Sequence, residues 1–281
     1  MGQPLLAAEK ATSLERTTPG LANPGVVLCV FVIVLSLISL PVMAKAPEPA
    51  CALGLREGGK AEQARVRRVI DGDTLILSDG RHVRLIGVNT PELGRQGRPD
   101  QPLAREARDA VLGFIADRPV KLIWGRDSRD DHGRYLAHVY SRSGESLEAS
   151  LLARGLAWHV AVPPNLSSAD CFAGLERKAR AARLGVWREY QPVPVQALTE
   201  GGYQRLTGRV ESLVFAGAWW INFDGPFSAV IYPEYQKNFD RRTLSDMKGR
   251  QVQLAGWVYR SPSGSPKPWR LKLETPYALG D

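Results

Sequence analysis

Short runs of alternating apolar and polar residues recur through the middle of the chain, and a period of two residues is typical of half-buried β-strands. Five such runs predict strands at 64–70, 74–78, 82–88, 119–124 and 135–140. Three further stretches predict helices from their apolar spacing or their end residues, at 100–116, 146–155 and 168–187. In the second of these, Ser146 is a candidate N-cap and Gly155 a stop signal. Five strands with interspersed helices predict a small closed barrel with helices packed on it.

The pattern changes after residue 198. Short alternating runs, separated by glycines and turn residues, continue to the end of the chain, with one helix-like stretch at 234–247. This order predicts a second, all-β domain with the pattern of an OB-type barrel. The expected fold class is therefore α+β, a β-barrel with helices followed by a second, OB-like all-β domain.

The N-terminal segment has the composition of an export signal. Residues 26–40 are apolar and uncharged, about the length of a signal-peptide core and short for a membrane span. We expect the body of the chain to be periplasmic or secreted, or to be anchored outside the cytoplasm by residues 26–43. The predicted organisation is a signal peptide or membrane anchor at 1–45, a linker at 46–61, a domain at 62–190, a linker at 191–198 and a second domain at 199–281.

The chain is basic, with 37 Lys and Arg against 29 Asp and Glu and a net charge of +8. This balance favours an anionic partner, either nucleic acid or a membrane surface. Of the three cysteines, Cys29 lies in the export segment. The remaining two, Cys51 and Cys171, favour a disulfide in an oxidising compartment, and two unpaired thiols are the alternative.

Three motifs carry candidate catalytic groups: DGDT at 71–74, VRLIGVNTPE at 83–92 and DDHGR at 130–134. Oxygen ligands suit a hard divalent cation, arginines can hold a phosphate by two hydrogen bonds, and a further carboxylate can activate water. A solvated hairpin face is the alternative interpretation of these charges. In this order and spacing, however, the motifs resemble the staphylococcal-nuclease-like (thermonuclease) family over about residues 64–188. The resemblance implies a five-stranded OB-fold barrel with three helices.

The resemblance also implies a calcium site. Asp73 and Asn89 would bind Ca²⁺ through side-chain oxygens, and the backbone carbonyl of Thr90 would be a third ligand. The family usually has aspartate where this chain has Asn89, so the site loses a formal negative charge. We therefore expect weaker metal binding, a shifted metal preference or low activity.

Three further residues are implied to act on the substrate. Arg84 and Arg134 would clamp the phosphate, and Glu92 would position or deprotonate the attacking water. The expected activity is that of an exported, Ca²⁺-dependent endonuclease, a phosphodiesterase that hydrolyses DNA and RNA to products ending in 3′-phosphates.

The usual tyrosines of the family pocket are missing from this chain. His132 stands in one of their places, and Trp158 and His159 are candidates for stacking on a base. The alternative for Trp158 is that its ring caps the barrel.

Two other functions fit the sequence. In the first, Asn89 disables catalysis and the chain only binds nucleic acid or a protein partner, although a binding protein would not need Glu92 as a general base. In the second, the chain is an envelope structural protein anchored by residues 26–43, and the second domain is its working part. In the nuclease interpretation the second domain is an accessory module for nucleic acid or the cell envelope.

Overall fold

The computed structural model describes residues 51, 60–94, 97–116, 118–261 and 265–280. The predicted export segment at 1–45 lies outside the described residues. Among the residues that are described, no helix combines the length and apolar character needed to cross a membrane.

The first half of the described chain is a closed barrel with three helices. Its strands are β1 (Ala61–Ala64), β2 (Val66–Val69), β3 (Thr74–Leu77), β4 (His82–Leu85), β5 (Val88–Asn89), β6 (Val120–Arg129), β7 (Tyr135–Tyr140) and β8 (Trp158–His159). Its α-helices are α1 (Ala104–Ile115), α2 (Leu147–Ala153) and α3 (Ala169–Ala181). The main sheet has the order β1-β6-β7-β4-β3-β2, and β5 and β8 form a separate antiparallel pair.

The barrel closes because one chain segment supplies both edges of this sheet. The run at 64–70, predicted as one strand, is divided at Arg65 into β1 and β2. β1 pairs with β6, while β2 pairs with β3 on the other edge. If the segment β1–β2 is counted once, five strands surround an apolar core. Leu75, Val83 and Leu122 are fully buried in this core.

The predicted helix ends at α2 are confirmed. The Ser146 hydroxyl accepts a hydrogen bond from the backbone amide of Ala149 at 3.1 Å, as an N-cap does. Gly155 adopts a φ of 65° after the helix, and a side chain there would collide with the carbonyl of Leu184. The strand predicted at 82–88 is broken before β5 at Gly87, where a Cβ atom would lie 2.6 Å from the Phe172 ring.

The second half of the described chain is another closed barrel. Its strands are β9 (Val193–Pro194), β10 (Gly202–Ala216), β11 (Ala218–Phe223), β12 (Phe227–Ile231), β13 (Gln251–Arg260) and β14 (Trp269–Lys272). The sheet order is β11-β12-β14-β13-β10-β9, and β10 also pairs with β11, which closes the ring. The predicted helical stretch at 234–247 is a 3₁₀ turn at Pro233–Asn238 followed by α4 (Arg241–Ser245).

The two barrels share one connectivity, so the predicted OB-like character of the second domain is confirmed. In the first, the segment β1–β2 is followed around the ring by β3, β4, β7 and β6, and α1 lies between β4 and β6 in the chain. In the second, β10 is followed by β11, β12, β14 and β13, with α4 between β12 and β13. The second barrel has its own apolar core, which includes Leu206, Ile221 and Leu271.

The segment predicted as a linker at 191–198 is packed into the second barrel. Val193 pairs in parallel with Leu206 of β10, and Val195 is fully buried in the second core. Direct contacts then join the barrels. The Arg180 guanidinium donates to the Gln253 side chain at 3.0 Å.

Cys51 and Cys171 are joined in a disulfide with a Cα–Cα distance of 5.7 Å. Cys51 also packs against the first core. The bond therefore ties the chain ahead of β1 to α3.

Candidate active site

A buried carboxylate, that of Asp73, lies just before β3 and is held by several donors. The backbone amide and the hydroxyl of Thr90 donate to its Oδ2 at 2.8 and 3.0 Å. The Thr74 hydroxyl donates to Oδ1 at 3.1 Å. Asp71 has the role of a turn residue, since its Oδ1 accepts a hydrogen bond from the Asp73 amide at 3.2 Å. Gly72 permits this packing, because a Cβ atom there would lie 2.8 Å from both Ala107 and Thr90.

The Arg84 guanidinium links Asp73 to Asn89. Arg84 lies opposite Thr74 in the β3–β4 pair and its side chain is buried. One amino group, Nη1, forms an ion pair with the Asp73 carboxylate, and the other, Nη2, donates to Asn89 Oδ1 at 2.8 Å. The two oxygens that the sequence assigns to a metal thus converge on one cationic group of the protein itself.

Burial lowers the pKa of Arg84 to about 10, and the positive charge of Arg134 acts in the same direction. Negative charges on Asp71, Glu92 and Asp130 oppose this change. Arg84 therefore stays protonated at neutral pH. Arg134 and Glu92 therefore lie within electrostatic range of the Arg84 guanidinium.

Asp130 holds Arg134 in position. Its two carboxylate oxygens accept hydrogen bonds from the Arg134 backbone amide at 2.9 Å and from Nε at 2.7 Å. Gly133 makes the tight turn between them with a φ of 75°. Burial raises the pKa of Asp130, but the hydrogen bonds from Arg134 outweigh it, and the pKa lies below its ordinary value.

Glu92 is exposed and lies beyond β5. Its backbone is fixed by Gln101, whose side-chain oxygen accepts from the Glu92 amide at 2.9 Å. The Gln101 amide donates back to the Glu92 carbonyl, also at 2.9 Å. The main chain at Glu92 is therefore anchored while its carboxylate remains accessible to solvent.

Comparison with known proteins identifies the first barrel. Residues 82–189 match the family model described as staphylococcal nuclease homologue. The chain is 34% identical to the thermonuclease of Staphylococcus intermedius over 131 residues, which are 46% of this chain and 77% of that protein. It is 32% identical to the thermonuclease of Staphylococcus hyicus over 126 residues, 44% of this chain and 74% of that protein. The chain belongs to the staphylococcal nuclease family.

A further relative is an uncharacterized endonuclease of Escherichia coli, 29% identical over 133 residues, which are 46% of this chain and 80% of that protein. The family match ends at residue 189, just before β9. The second barrel therefore lies beyond the region matched by the staphylococcal nuclease family model.

The residues predicted to replace the family's tyrosines are dispersed. His132 is exposed and lines a shallow cleft beside the β3–β4 hairpin, together with Arg134. Trp158 pairs with Asn89 across the β5–β8 ladder, and its half-buried ring lies 5.9 Å from that of Tyr203 in the second barrel. Trp158 thus contacts the second barrel, a partner that the sequence did not suggest.

The structure does not present the His159 ring for stacking on a base. The ring is buried, with its centroid 6.3 Å from that of Phe172 and 5.4 Å from that of Tyr277. Burial lowers the pKa of His159 to about 4, and the charge of Arg205 contributes, so the ring is neutral at pH 7. Its role is to pack between the barrels.

The oxygens around Arg84 fit a divalent cation in kind. Asp73 and Asn89 supply a carboxylate and an amide oxygen, the hard donors that Ca²⁺ prefers, and both already converge on one positive group. A bound cation would compete with Arg84 for these same two oxygens. In the described part of the chain, no cluster of three or more His, Cys, Asp or Glu residues is arranged as a metal site. A cation here would depend on backbone and water oxygens for its remaining ligands.

Sequence reasoning assigned no role to Asp130, although the motif DDHGR contains it. The available signal was an acidic residue four positions before an arginine with a glycine between them, which is the arrangement of a tight turn closed by an ion pair.

Proposed function

We propose that this chain is an exported, metal-dependent nuclease that hydrolyses phosphodiester bonds in DNA and RNA and leaves 3′-phosphates. The observation that carries the proposal is the buried ion pair of Arg84 with Asp73, with Arg134 and Glu92 close enough to act on the charge of Arg84, in a chain of the staphylococcal nuclease family. The names of the relatives, two thermonucleases and an endonuclease, support the reaction class.

The charges in the site suit an attack on an anionic phosphodiester. Arg84 and Arg134 would donate hydrogen bonds to the nonbridging oxygens and stabilise the extra negative charge of the transition state. Asp130 keeps the Arg134 guanidinium in one orientation, so little conformational freedom is lost when the phosphate binds.

Glu92 is the candidate general base. Its carboxylate would accept a proton from water as the water oxygen forms a bond to phosphorus. The bond from phosphorus to the 5′ oxygen then breaks, and that oxygen takes a proton from solvent. Ca²⁺ bound by Asp73, Asn89 and the Thr90 carbonyl would supply positive charge for the phosphate. The products are a 3′-phosphate and a 5′-hydroxyl.

The Cys51–Cys171 disulfide supports the proposed export. Disulfides persist in oxidising compartments and are rare in the cytosol. We therefore propose a periplasmic or secreted location, or an anchor at residues 26–43 with both barrels outside the cytoplasm.

The test is hydrolysis of single-stranded DNA and RNA by the purified full-length chain, with Ca²⁺ or with a chelator, beside Glu92→Gln. We expect cleavage that needs the metal and falls at least about a hundredfold in the variant, as for loss of a general base. Glu106→Gln is the matched control, because Glu106 is an exposed acid on the first turn of α1. Cleavage that survives in Glu92→Gln, or products that end in 5′-phosphates, would overturn the mechanism.

A second candidate function, binding without cleavage, is favoured by one observation. Arg84 already occupies the oxygens of Asp73 and Asn89, and Asn89 adds no charge to attract a cation away from it. Binding of an oligonucleotide by a wild-type chain that cleaves no substrate at any Ca²⁺ concentration would favour this candidate.

A further inference from the structure

We infer that the second barrel carries part of the substrate path, a groove between the barrels that binds a single-stranded segment of nucleic acid next to the active site. This interbarrel groove is lined by Trp257 and Tyr259 of β13, by Lys272 at the end of β14, and by residues 159–162 of the first barrel. The inference rests on the proposed nuclease function for its substrate and deepens it by assigning a role to the second barrel.

The groove is formed by both barrels and has a fixed floor. Its volume is about 160 Å³. The buried Thr275 hydroxyl donates to the Ala161 carbonyl at 3.1 Å, which joins the chain after β14 to the first barrel. His159 and Tyr277, whose rings are 5.4 Å apart, also line the groove. Because these contacts hold its walls together, the groove is a preformed surface.

The aromatic side chains of the groove are open to solvent. Trp257 is 46% exposed and Tyr259 is 37% exposed, which is unusual for rings of this size. They are two residues apart on β13 and therefore share one face of the strand, while Val258 between them faces the second core. Exposed rings along a strand are a stacking platform for unpaired bases, since every base has a flat apolar face.

A row of rings connects this platform to the active site. Asn89 pairs with Trp158 across the β5–β8 ladder. The Trp158 ring lies 5.9 Å from that of Tyr203, which in turn lies 5.2 Å from that of Trp257. The row therefore starts at Trp158, which pairs with Asn89, the hydrogen-bond partner of Arg84. It ends at Trp257, in the exposed part of the groove.

The groove also carries a cationic side chain, that of Lys272. Lys272 is 43% exposed and forms an ion pair with Glu274. Burial lowers the pKa of Lys272, but the hydrogen bond to Glu274 and the charges of Glu274 and Asp131 outweigh it and raise the pKa. Asp131 belongs to the loop that carries Arg134. Arg270 stands beside Tyr259 in the β13–β14 pair and adds a second cation to the same face.

These features favour a single strand over a duplex. In a duplex the bases are paired and stacked on each other, so Trp257 and Tyr259 could contact only sugar and phosphate. A single strand would place bases on the rings and phosphates near Lys272 and Arg270. The matched family region ends at residue 189, so this surface consists largely of residues outside it.

The test compares cleavage of short and long single strands by the full-length chain. The short substrate has about three nucleotides and occupies only the active site. The long substrate has about 20 nucleotides, enough to occupy the active site and the interbarrel groove together. We expect Trp257→Ala with Tyr259→Ala to raise the ratio of long-strand KM to short-strand KM about tenfold, as for the loss of one or two stacked bases. Trp257→Phe alone should change this KM ratio much less than the double alanine variant does, because phenylalanine retains a stacking ring.

Two measurements keep the outcome interpretable. Fluorescence anisotropy of the long strand, measured with the groove variants combined with Glu92→Gln, reports binding without cleavage, so failure of the nuclease proposal is distinguishable from failure of the groove. Lys272→Gln should weaken binding of the long strand, whereas Lys237→Gln, which removes an exposed lysine beside α4, should not. Equal affinity of the wild type and the double aromatic variant would overturn the inference, and so would an equal loss of affinity for single strand and duplex.

Discussion

Arg84 Nη2 donates a hydrogen bond to Asn89 Oδ1 at 2.8 Å, while Nη1 of the same guanidinium forms an ion pair with Asp73. The residue that is expected to bind a phosphate is therefore also the one that occupies the oxygens expected to bind a metal. Any divalent cation must compete with a single positive charge that is tethered in place. The charge at position 89 decides how strong that competition is.

Asn89→Asp should tighten Ca²⁺ binding. A new carboxylate attracts both cations, but the interaction with a divalent ion is about twice that with a guanidinium at the same distance. We expect the Kd for Ca²⁺ to fall about tenfold, since the number of charged ligands tunes affinity in oxygen sites. Isothermal titration with Ca²⁺ measures the change. Gln63→Glu, which adds a negative charge on an exposed position of β1, is the control, and an equal effect of both variants would contradict a local cause.

Asp130→Asn should lower activity through Arg134. The neutral amide gives up the ion pair that orients the guanidinium, so we expect kcat to fall about tenfold while the chain stays folded. Steady-state kinetics check the rate, and circular dichroism checks the fold. An unchanged kcat would show that Arg134 is oriented by other contacts.

The same carboxylate gives a pH dependence of stability. The folded-state pKa of Asp130 is lowered, so its contribution is fully present above the ordinary aspartate pKa of about 4 and is lost as the pH falls through the lower folded value. The difference in Tm between wild type and Asp130→Asn should therefore be largest at neutral pH and shrink below about pH 4. A difference that grows on acidification would contradict the assignment.

Glu176→Gln should destabilise the junction between the barrels. Glu176 accepts from the Arg205 guanidinium at 3.3 Å and from the His159 amide at 2.9 Å, and both charged side chains are largely buried. Glutamine can still accept from the amide, but it leaves Arg205 without its counter-charge, which costs about 3 kcal/mol in buried pairs. Chemical denaturation measures the loss. Adding Arg205→Met should recover part of it, and an additive double variant would mean that the pair is not coupled.

Reduction of the disulfide should lower the stability of the first barrel. Cys51 and Cys171 are 120 residues apart, and closing a loop of that length in the unfolded chain corresponds to about 5 kcal/mol. Thermal unfolding with and without reductant measures the effect. The double variant Cys51→Ser with Cys171→Ser should have the reduced Tm and no response to reductant. A wild-type Tm that is the same with and without reductant would indicate that Cys51 and Cys171 are not bonded in solution.

Much of the architecture follows from local sequence signals. Strand β7 at Tyr135–Tyr140 has the bounds that its alternation predicts, and the Ser146 cap acts on the amide expected of it. The order of strands and helices predicted a small closed barrel with helices and a second, OB-like barrel, and the family resemblance added the OB fold of the first. These features depend on neighbours in the sequence, which is why a pattern of residue types can reveal them.

Other features depend on distant parts of the chain and leave no local signal. The break at Arg65 exists because β1 and β2 bind opposite edges of one sheet, and alternation continues across it. β6 extends to Arg129 through a polar run that has no strand pattern. His159 is buried only because the second barrel brings Tyr277 against it.

The candidate site likewise has features that the sequence motifs predict and features that depend on distant residues. The motifs contained Asp73, Arg84 and Glu92, and the structure brings these residues into one electrostatic neighbourhood. The contact of Arg84 with Asn89 depends on how β4 turns into β5 at Gly87, which the sequence letters do not specify. Trp158 could be named from the sequence, but its partner Tyr203 belongs to another barrel.

The disulfide has a mechanical consequence if the proposed anchor is retained. Tension applied through the N-terminal segment enters the described chain at Cys51, ahead of β1. The covalent bond would carry that load directly into α3, the helix whose Arg180 and Glu176 contact the second barrel. The strand edge that closes the first barrel would then bear almost no force. A tethered molecule would therefore be held through a helix that contacts both barrels, and the pairing of β1 with β6 would stay intact under load.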